Sequence, residues 1–461
     1  MEHLREASRL DEAEGCGARS RRGDELPTLQ GRIGAPFWPE PAQVEGRCAE
    51  ALSDPAVSKA LSGEKCMFMM PLTFLFMWLI GLLSLGMIAG GIYIVWAWYF
   101  GALVATAWLV LGIAMLAWSA AGRWLIVLMH PGGSDDPVSL RSGQQHRLAR
   151  PEGHELYAEI HGPETGLPIV LTHGWSLDST AWYRLSDRFR LILWDLPGLG
   201  QSSQPRDRDY SIERFAQDLR AVLELAGNRK VLLLGHSIGG MTIQTFCRLF
   251  PDIVATRVAG IVLANTTYTD PTRTTIASAV VHALEKPLIV PILHLTVWLW
   301  PAFWAMNVLS YLNGSAHITT RLTSFNGDVT RGQLDFTARF TAKQSPAVLA
   351  RGMLAALKFD ETQTLGTIPV PALILVANSD RLTVPAAGER IAATVPGATL
   401  IRINRTGHCG IIEQDRDYYD NVAQYAESLA AASNPIASAS RTRTPKRART
   451  QRPAAGFRRD K

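Results

Sequence analysis

The most informative absence in this 461-residue chain is charge. From residue 66 to residue 122 there is no Asp, Glu, Lys or Arg. Such a run is too long for the 7–15-residue core of a signal peptide. It is also too long for one membrane helix of about 20 residues, and it fits two. Cysteine is scarce as well. The five present (Cys16, Cys48, Cys66, Cys247, Cys409) are scattered, odd in number, and show neither C-x-x-C nor zinc-like Cys/His spacing. That argues against a disulfide framework and a structural zinc. No G-x-G-x-x-G follows a first strand, no P-loop occurs, and His154, His161 and His294 lack ligand-spaced partners. Neither nucleotide, metal nor other cofactor is therefore expected.

The charge that is present is uneven. Residues 441–461 hold nine Lys/Arg and one acid, a net of +8, so with +5 overall the rest of the chain nets −3. The segment 434–461 reads as a disordered basic tail. Anionic membrane lipid is a better partner for it than nucleic acid. Residues 1–65 are polar and without period, and read as mostly disordered. Met67, Met69 and Met70 follow, which raises the expectation that translation starts there rather than at Met1; N-terminal sequencing of the native protein tests it.

The uncharged run, taken as 66–124, predicts a transmembrane hairpin with spans at about 72–94 and 101–121. Its turn, "WAWYFG" (96–101), is aromatic, as membrane interfaces are, and Trp118 and Trp124 mark the opposite interface. Lys59, Lys65, Arg123 and Arg141 flank the outer ends, while the turn has no Lys or Arg. The positive-inside rule then predicts a multi-pass membrane protein with both hairpin ends, and the domain that follows, on the cytoplasmic side. Gly86 and Gly90 form a G-x-x-x-G that permits close helix packing. Residues 125–149 read as a linker.

From 150 to 433 the pattern alternates. "PIVLTHG", "RLILWDLPG", "KVLLLGHS", "VAGIVLANTT", "PALILVANSD" and "ATLIRINRTGH" are short apolar runs ending in polar or glycine residues. Buried parallel strands read this way, and the stretches between them have helical spacing. The fold class is α/β, a mostly parallel sheet flanked by helices. Residues 270–365 contain no clear strand and predict an inserted helical lid. Its uncharged centre, 287–312, carries Trp298, Trp300, Phe303 and Trp304, taken as candidate substrate-binding residues. Pro287, Pro291 and Pro301 argue against a third membrane span there.

The chemistry centres on "GHSIGG". G-x-S-x-G alone is a weak signal, but here it follows a strand and opens a helix, so Ser237 sits in a tight turn whose glycines, Gly235 and Gly239, relieve crowding. A serine hydroxyl needs a base, and the base an orienting carboxylate. His408, in a Gly-His-Cys-Gly loop, and Asp380, after "PALILVANS", supply them in the order Ser…Asp…His. The backbone N–H groups of Trp175, beside Gly174 in "THGWS", and of Ile238 are the expected oxyanion donors. Asp195 reads as a loop-structuring residue, Asp360 as a poor rival to Asp380, His236 as packing or as a support behind the catalytic residues, and Cys409 as a small buried residue.

"HGW", "DLPGLGQS", "GHSIGG" and a late "GH", in this order, resemble the alpha/beta-hydrolase superfamily, most nearly its serine esterases, lipases and haloperoxidase-like members. The resemblance covers most of 150–433. It implies an eight-stranded sheet and a cap after strand six, where the lid falls. The acid loop departs from the family's frequent Gly-Asp, reading Ala377-Asn378-Ser379-Asp380, with Pro385 following. The expected function is a membrane-anchored serine hydrolase acting on a small, lipophilic carboxylic ester. An acyltransferase or perhydrolase with the same triad, and a non-catalytic anchored binding module, stand as alternatives.

Overall fold

The computed structural model describes residues 72–433 apart from 134, 135, 138–140 and 185–187. The expectations for 1–65 and 434–461 lie outside the described residues. Two apolar helices come first, α1 (Leu72–Tyr99) and α2 (Thr106–Leu128). Both run past the ends expected from sequence. Gly101, at φ +76°, sits just beyond α1, a left-handed position that favours glycine. Arg123 does not end α2, because its guanidinium lies over the Trp124 and Tyr311 rings and 3.9 Å from Asp335. The close crossing of the hairpin is also elsewhere than expected. A Cβ on Gly91 would lie 3.1 Å from the Gly112 carbonyl oxygen, whereas Gly86 faces open space.

Among the described residues, eight strands form one sheet: β1 (Gln144–Ala149), β2 (Glu155–His161), β3 (Pro168–Thr172), β4 (Arg190–Trp194), β5 (Val231–His236), β6 (Val258–Ala264), β7 (Ala372–Ala377) and β8 (Thr399–Ile403). Their order is β1-β2-β4-β3-β5-β6-β7-β8. β2 pairs antiparallel with β1 and β4, and all other neighbours are parallel. β1 lies inside the segment expected to be a linker. As an edge strand it exposes alternate residues, and its sequence, QQHRLA, has almost no apolar signal.

Side-chain alternation divides the core. Leu233, Ile261 and Ile374 point to one face, against α3 (Ile212–Leu223) and α4 (Ile238–Leu249) through Phe215, Leu219 and Phe246. Leu232, Leu234, Val262 and Leu375 point to the other, where Phe336 and Tyr418 pack. The short helix α5 (Pro251–Arg257) leads into β6.

Between β6 and β7 lie the helices α6 (Ser278–Leu284), a π turn (Glu285–Ile289), α7 (Val290–Trp298), α8 (Trp300–Leu312), α9 (Ser315–Ser324), α10 (Arg331–Lys343) and α11 (Pro346–Ala356), with one isolated antiparallel bridge, Thr269 to Asp360, at their base. Helices α12 (Pro385–Thr394), α13 (Gly410–Glu413) and α14 (Asp415–Ser433) complete the fold. The lid prolines, expected to argue against a third span, do not break the helices. Pro287 lies in the π turn, and Pro291 and Pro301 fall in first turns, where a missing N–H costs little. Among the described residues, three helices are thus long and apolar enough to cross a membrane: Trp78–Tyr99, Thr106–Leu128 and Ser278–Trp298.

The lid packs on the hairpin. The Phe303 ring meets Trp78 edge-on at 3.9 Å, and Trp78 Nε1 donates to Thr296 Oγ1 at 3.3 Å. Asn313 Nδ2 donates to Ser84 Oγ at 2.7 Å, within 3.5 Å of Ser310 Oγ. Gly81 leaves room for Met306, since a Cβ there would lie 2.8 Å from the Met306 Cβ.

Candidate active site

Three loops at the carboxyl ends of β5, β7 and β8 meet. Ser237 follows β5 at φ +52° and ψ −119°, outside the ordinary regions for an L-residue, and α4 starts at the next residue. Holding it there costs on the order of 1–3 kcal/mol. The turn closes because Gly235 and Gly239 lack Cβ atoms, which would collide with the carbonyls of Gly239 and Thr172. His408 Nε2 is 2.9 Å from Ser237 Oγ. His408 Nδ1 is 2.8 Å from Asp380 Oδ2. Asp380 accepts further bonds from the Leu382 and Thr383 amides, at 2.7 and 2.9 Å, and from the Thr383 hydroxyl at 2.8 Å. The carboxylate is therefore fixed on every side, which orients the imidazole with its Nδ1–H toward Asp380 and Nε2 open to the serine proton.

Residues behind the triad hold this arrangement. The His408 carbonyl accepts from His236 Nε2 and from Asn265 Nδ2, both at 2.9 Å. Asn265 Oδ1 in turn accepts from the Ala377 amide and the Tyr418 hydroxyl, each at 2.9 Å. One amide thus ties the histidine loop to β7 and α14. Its only sequence signal is a polar residue at a strand end. Burial pushes the His236 imidazole down to about 3, with the nearby His408 adding to the effect, so His236 stays neutral. Of its two expected roles, it takes that of a support behind the catalytic residues, a donor aimed at the loop of the base. His173 is likewise buried and lowered by burial. It accepts the Leu196 amide at 3.0 Å and bonds the Gly174 carbonyl at 2.9 Å, which shapes the "HGW" turn.

The amides of Trp175 and Ile238 donate to no protein acceptor among the described residues. The Trp175 indole is pinned, donating to the Leu349 carbonyl at 3.0 Å and stacking on Phe215 at 5.7 Å. Asp195 structures its loop, as expected. It accepts from the Ser179 and Gln201 amides at 2.7 and 2.8 Å and pairs with Arg141 at 2.9 Å. Asp360 bonds Thr362. Burial pushes the Cys409 thiol up to about 12, which keeps it protonated at neutral pH.

Ser237 and His408 open on a cavity of about 220 Å³. Its walls combine Trp175, Leu177, Met241, Phe340, Leu349 and Met353 with hydroxyls from α9 and α10, among them Thr320, Thr323 and Thr337. Trp298, Trp300, Phe303 and Trp304, the lid residues expected to meet substrate, do not line this cavity. Phe303 is buried against the hairpin, while Trp298, Trp300 and Trp304 are exposed. An apolar helix offers the same signal whether it faces a substrate, another helix or lipid. Elsewhere, Asp270, His282 and Glu285 bring ligand atoms within 4.8 Å of one another, and the Thr272 hydroxyl bonds all three at 2.7–3.0 Å.

A mostly parallel sheet with a serine elbow at the end of its fifth strand, and a helical insertion after its sixth, defines an alpha/beta hydrolase. Residues 169–421 match the family model "Alpha/beta hydrolase family", and the chain belongs to that family. It is similar to an uncharacterized protein of Mycobacterium tuberculosis, 38% identical over 94 residues, which are 20% of this chain and 27% of that one. It is also similar to a bifunctional esterase/perhydrolase of Acinetobacter calcoaceticus, 29% identical over 106 residues, or 22% and 38% of the two chains. The chain thus spans well under half the length of either relative. Among solved structures, a bromoperoxidase from Bacillus anthracis superposes with a TM-score of 0.50 at 20% identity, over 62% of this chain and 100% of that one, a likeness of fold.

Proposed function

We propose that this protein is a membrane-anchored serine hydrolase that cleaves carboxylic esters. The observation that carries the reading is the Ser237–His408–Asp380 alignment, at 2.9 and 2.8 Å, beside an apolar cavity. Ser237 Oγ attacks the ester carbonyl as His408 Nε2 takes its proton. The Trp175 and Ile238 amides receive the oxyanion. His408 then protonates the leaving alkoxide, and afterwards takes a proton from the water that cleaves the acyl-enzyme.

The cavity volume refines the substrate. Pockets for drug-sized ligands hold roughly 300–1,000 Å³. A space of about 220 Å³ suits a short apolar acyl group rather than a long one. Each buried methylene contributes about 0.8 kcal/mol, close to fourfold in kcat/KM, until the space is filled.

The hairpin of α1 and α2 is the anchor, with the catalytic domain on the cytoplasmic side by the charge pattern of its flanks. Ser278–Trp298 reads differently. It lies between β6 and β7 of one sheet, so the chain must leave and re-enter on the same side. Its return helix α8 has 13 residues, about 20 Å, against a hydrocarbon thickness of about 30 Å. Exposed Trp298, Trp300 and Trp304 suit a lid seated at the interface, where tryptophan is favoured.

A fluorophosphonate probe tests the core of the reading. Wild type is expected to label and Ser237→Ala not to; labelling that is absent, or independent of Ser237, would overturn it. Carbonate-washed membranes should retain the protein, and its release to the supernatant counts against the anchor. With p-nitrophenyl esters, kcat/KM should rise from acetate to butyrate or hexanoate and then fall. A flat series would remove the substrate assignment.

A further inference from the structure

A second groove, of about 590 Å³, opens on the other face of α11. That helix gives Leu349, Met353 and Ala356 to the reaction cavity, and Arg351, Leu354 and Ala355 to the groove. The remaining walls come from the loop at Arg208 and the start of α3, from His294 and Val297 of α7, and from Lys358.

Four acids and four cations line the groove, but the two sets are engaged differently. Each acid of the groove is engaged. Glu213 and Glu361 both bond Arg248, at 2.7 Å. Asp209 accepts the Ser211 amide at 2.9 Å, and Asp360 the Thr362 hydroxyl at 2.6 Å. The cations other than Arg248 are not. Among the described residues, Arg208, Arg351 and Lys358 make no ion pair and no side-chain hydrogen bond. Burial and the like charge of Arg208 hold the Arg351 guanidinium below its ordinary value. Arg208 stands in the left-handed region, at φ +57°, so the loop backbone sets its position. The 12-residue helix α3 turns its N-terminus, the positive end of its dipole, into the same space. Two guanidiniums and a helix N-terminus match the oxygens of a phosphate. Val297 and Leu354 beside them match a hydrocarbon chain.

We propose that this groove binds the phosphate of an anionic amphiphile, with Arg208 and Arg351 on the phosphate oxygens and the chain along Val297 and Leu354. The site is separate from the reaction cavity and stands whether or not Ser237 is the nucleophile.

Calorimetric titration of the full-length protein in neutral detergent micelles tests it, with dihexanoyl phosphatidic acid, glycerol 3-phosphate and inorganic phosphate as probes. Dihexanoyl phosphatidic acid should bind wild type and bind Arg208→Gln/Arg351→Gln at least tenfold more weakly, with partial recovery in Arg208→Lys/Arg351→Lys. A tenfold preference for the lipid over inorganic phosphate marks a lipid headgroup as the source. Equal affinity for the two, still lost in the Gln variant, marks free phosphate. The basic tail is the same in every variant, so binding to it appears as equal affinity throughout. Equal affinity in wild type and the Gln variant, or no binding by wild type, overturns the proposal. Thermal unfolding checks that the Gln variant is folded; if it is not, no loss of affinity from wild type in the Lys variant overturns the proposal instead.

Discussion

The strand ends around Ser237 and the seam between lid and hairpin are built by opposite means. At the strand ends a dense set of directed hydrogen bonds joins the loops. Asp380 accepts three bonds besides that of His408, and Asn265 alone joins His408, Ala377 and Tyr418. At the seam the helices meet through Phe303, Trp78, Gly81 and Met306, with a few hydroxyls and one amide between them. A directional network fixes one geometry and fails sharply when a member is lost. Apolar packing tolerates adjustment, losing stability by degrees. The rigid part thus suits bond chemistry, and the compliant part suits a lid.

Changes at the strand ends should have the largest effects. Ser237→Ala is expected to lower kcat by roughly 10⁵–10⁶-fold toward a given ester. Asp380→Asn should cost on the order of 10³–10⁴-fold with KM little changed, because the wrong histidine tautomer is favoured while the shape is kept. Steady-state kinetics on p-nitrophenyl butyrate reads both. An Asp380→Asn loss under tenfold would show that the carboxylate is not the orienting group.

The seam should respond in stability instead. Gly81→Leu forces a side chain against Met306 and is expected to cost about 1–3 kcal/mol. Hydrogen exchange should quicken across α8, while the rate of Ser237 labelling changes less than threefold. A collapse of labelling without faster exchange in α8 would mean that the two regions are rigidly coupled.

Buried imidazoles give the strand ends a pH signature. His236 has its folded value lowered to about 3, against about 6.5 when unfolded. Between these values the unfolded chain takes up a proton that the folded one refuses. Stability is therefore full above pH 6.5 and declines as pH falls, by up to about 1.4 kcal/mol per unit from this group. The unfolding midpoint should fall less steeply between pH 6.5 and 4 in His236→Asn than in wild type. Parallel slopes would remove His236 from the account.

The same contrast explains what could be read from sequence. Six strands and the Ser237, Asp380 and His408 loops were legible, since a buried parallel strand and a glycine-flanked elbow are local patterns. β1 was not, because an exposed antiparallel edge such as QQHRLA resembles a linker. Asn265 and Thr383 were missed because their roles exist only once β6, β7 and β8 are side by side. The direction of the lid was missed for another reason. α7 and α8 are apolar on nearly every face, so their sequence carries no record of which face meets what.

That last point yields the smallest expected effects and the sharpest comparison. Trp298 is 76% exposed and does not line the reaction cavity, whereas Met353 lines it together with Ser237. In detergent, Trp298→Ala should change kcat/KM for p-nitrophenyl butyrate by less than twofold. Met353→Ala should change it by about tenfold, in the direction set by whether the enlarged space costs contact or admits a longer chain. In lipid vesicles the ranking of membrane retention should reverse, with Trp298→Ala/Trp304→Ala weakening the seating of the lid and Met353→Ala leaving it intact. Were Trp298→Ala to cost tenfold in detergent, the tryptophans would belong to the substrate path, and the division between a rigid site and an outward-facing lid would fail.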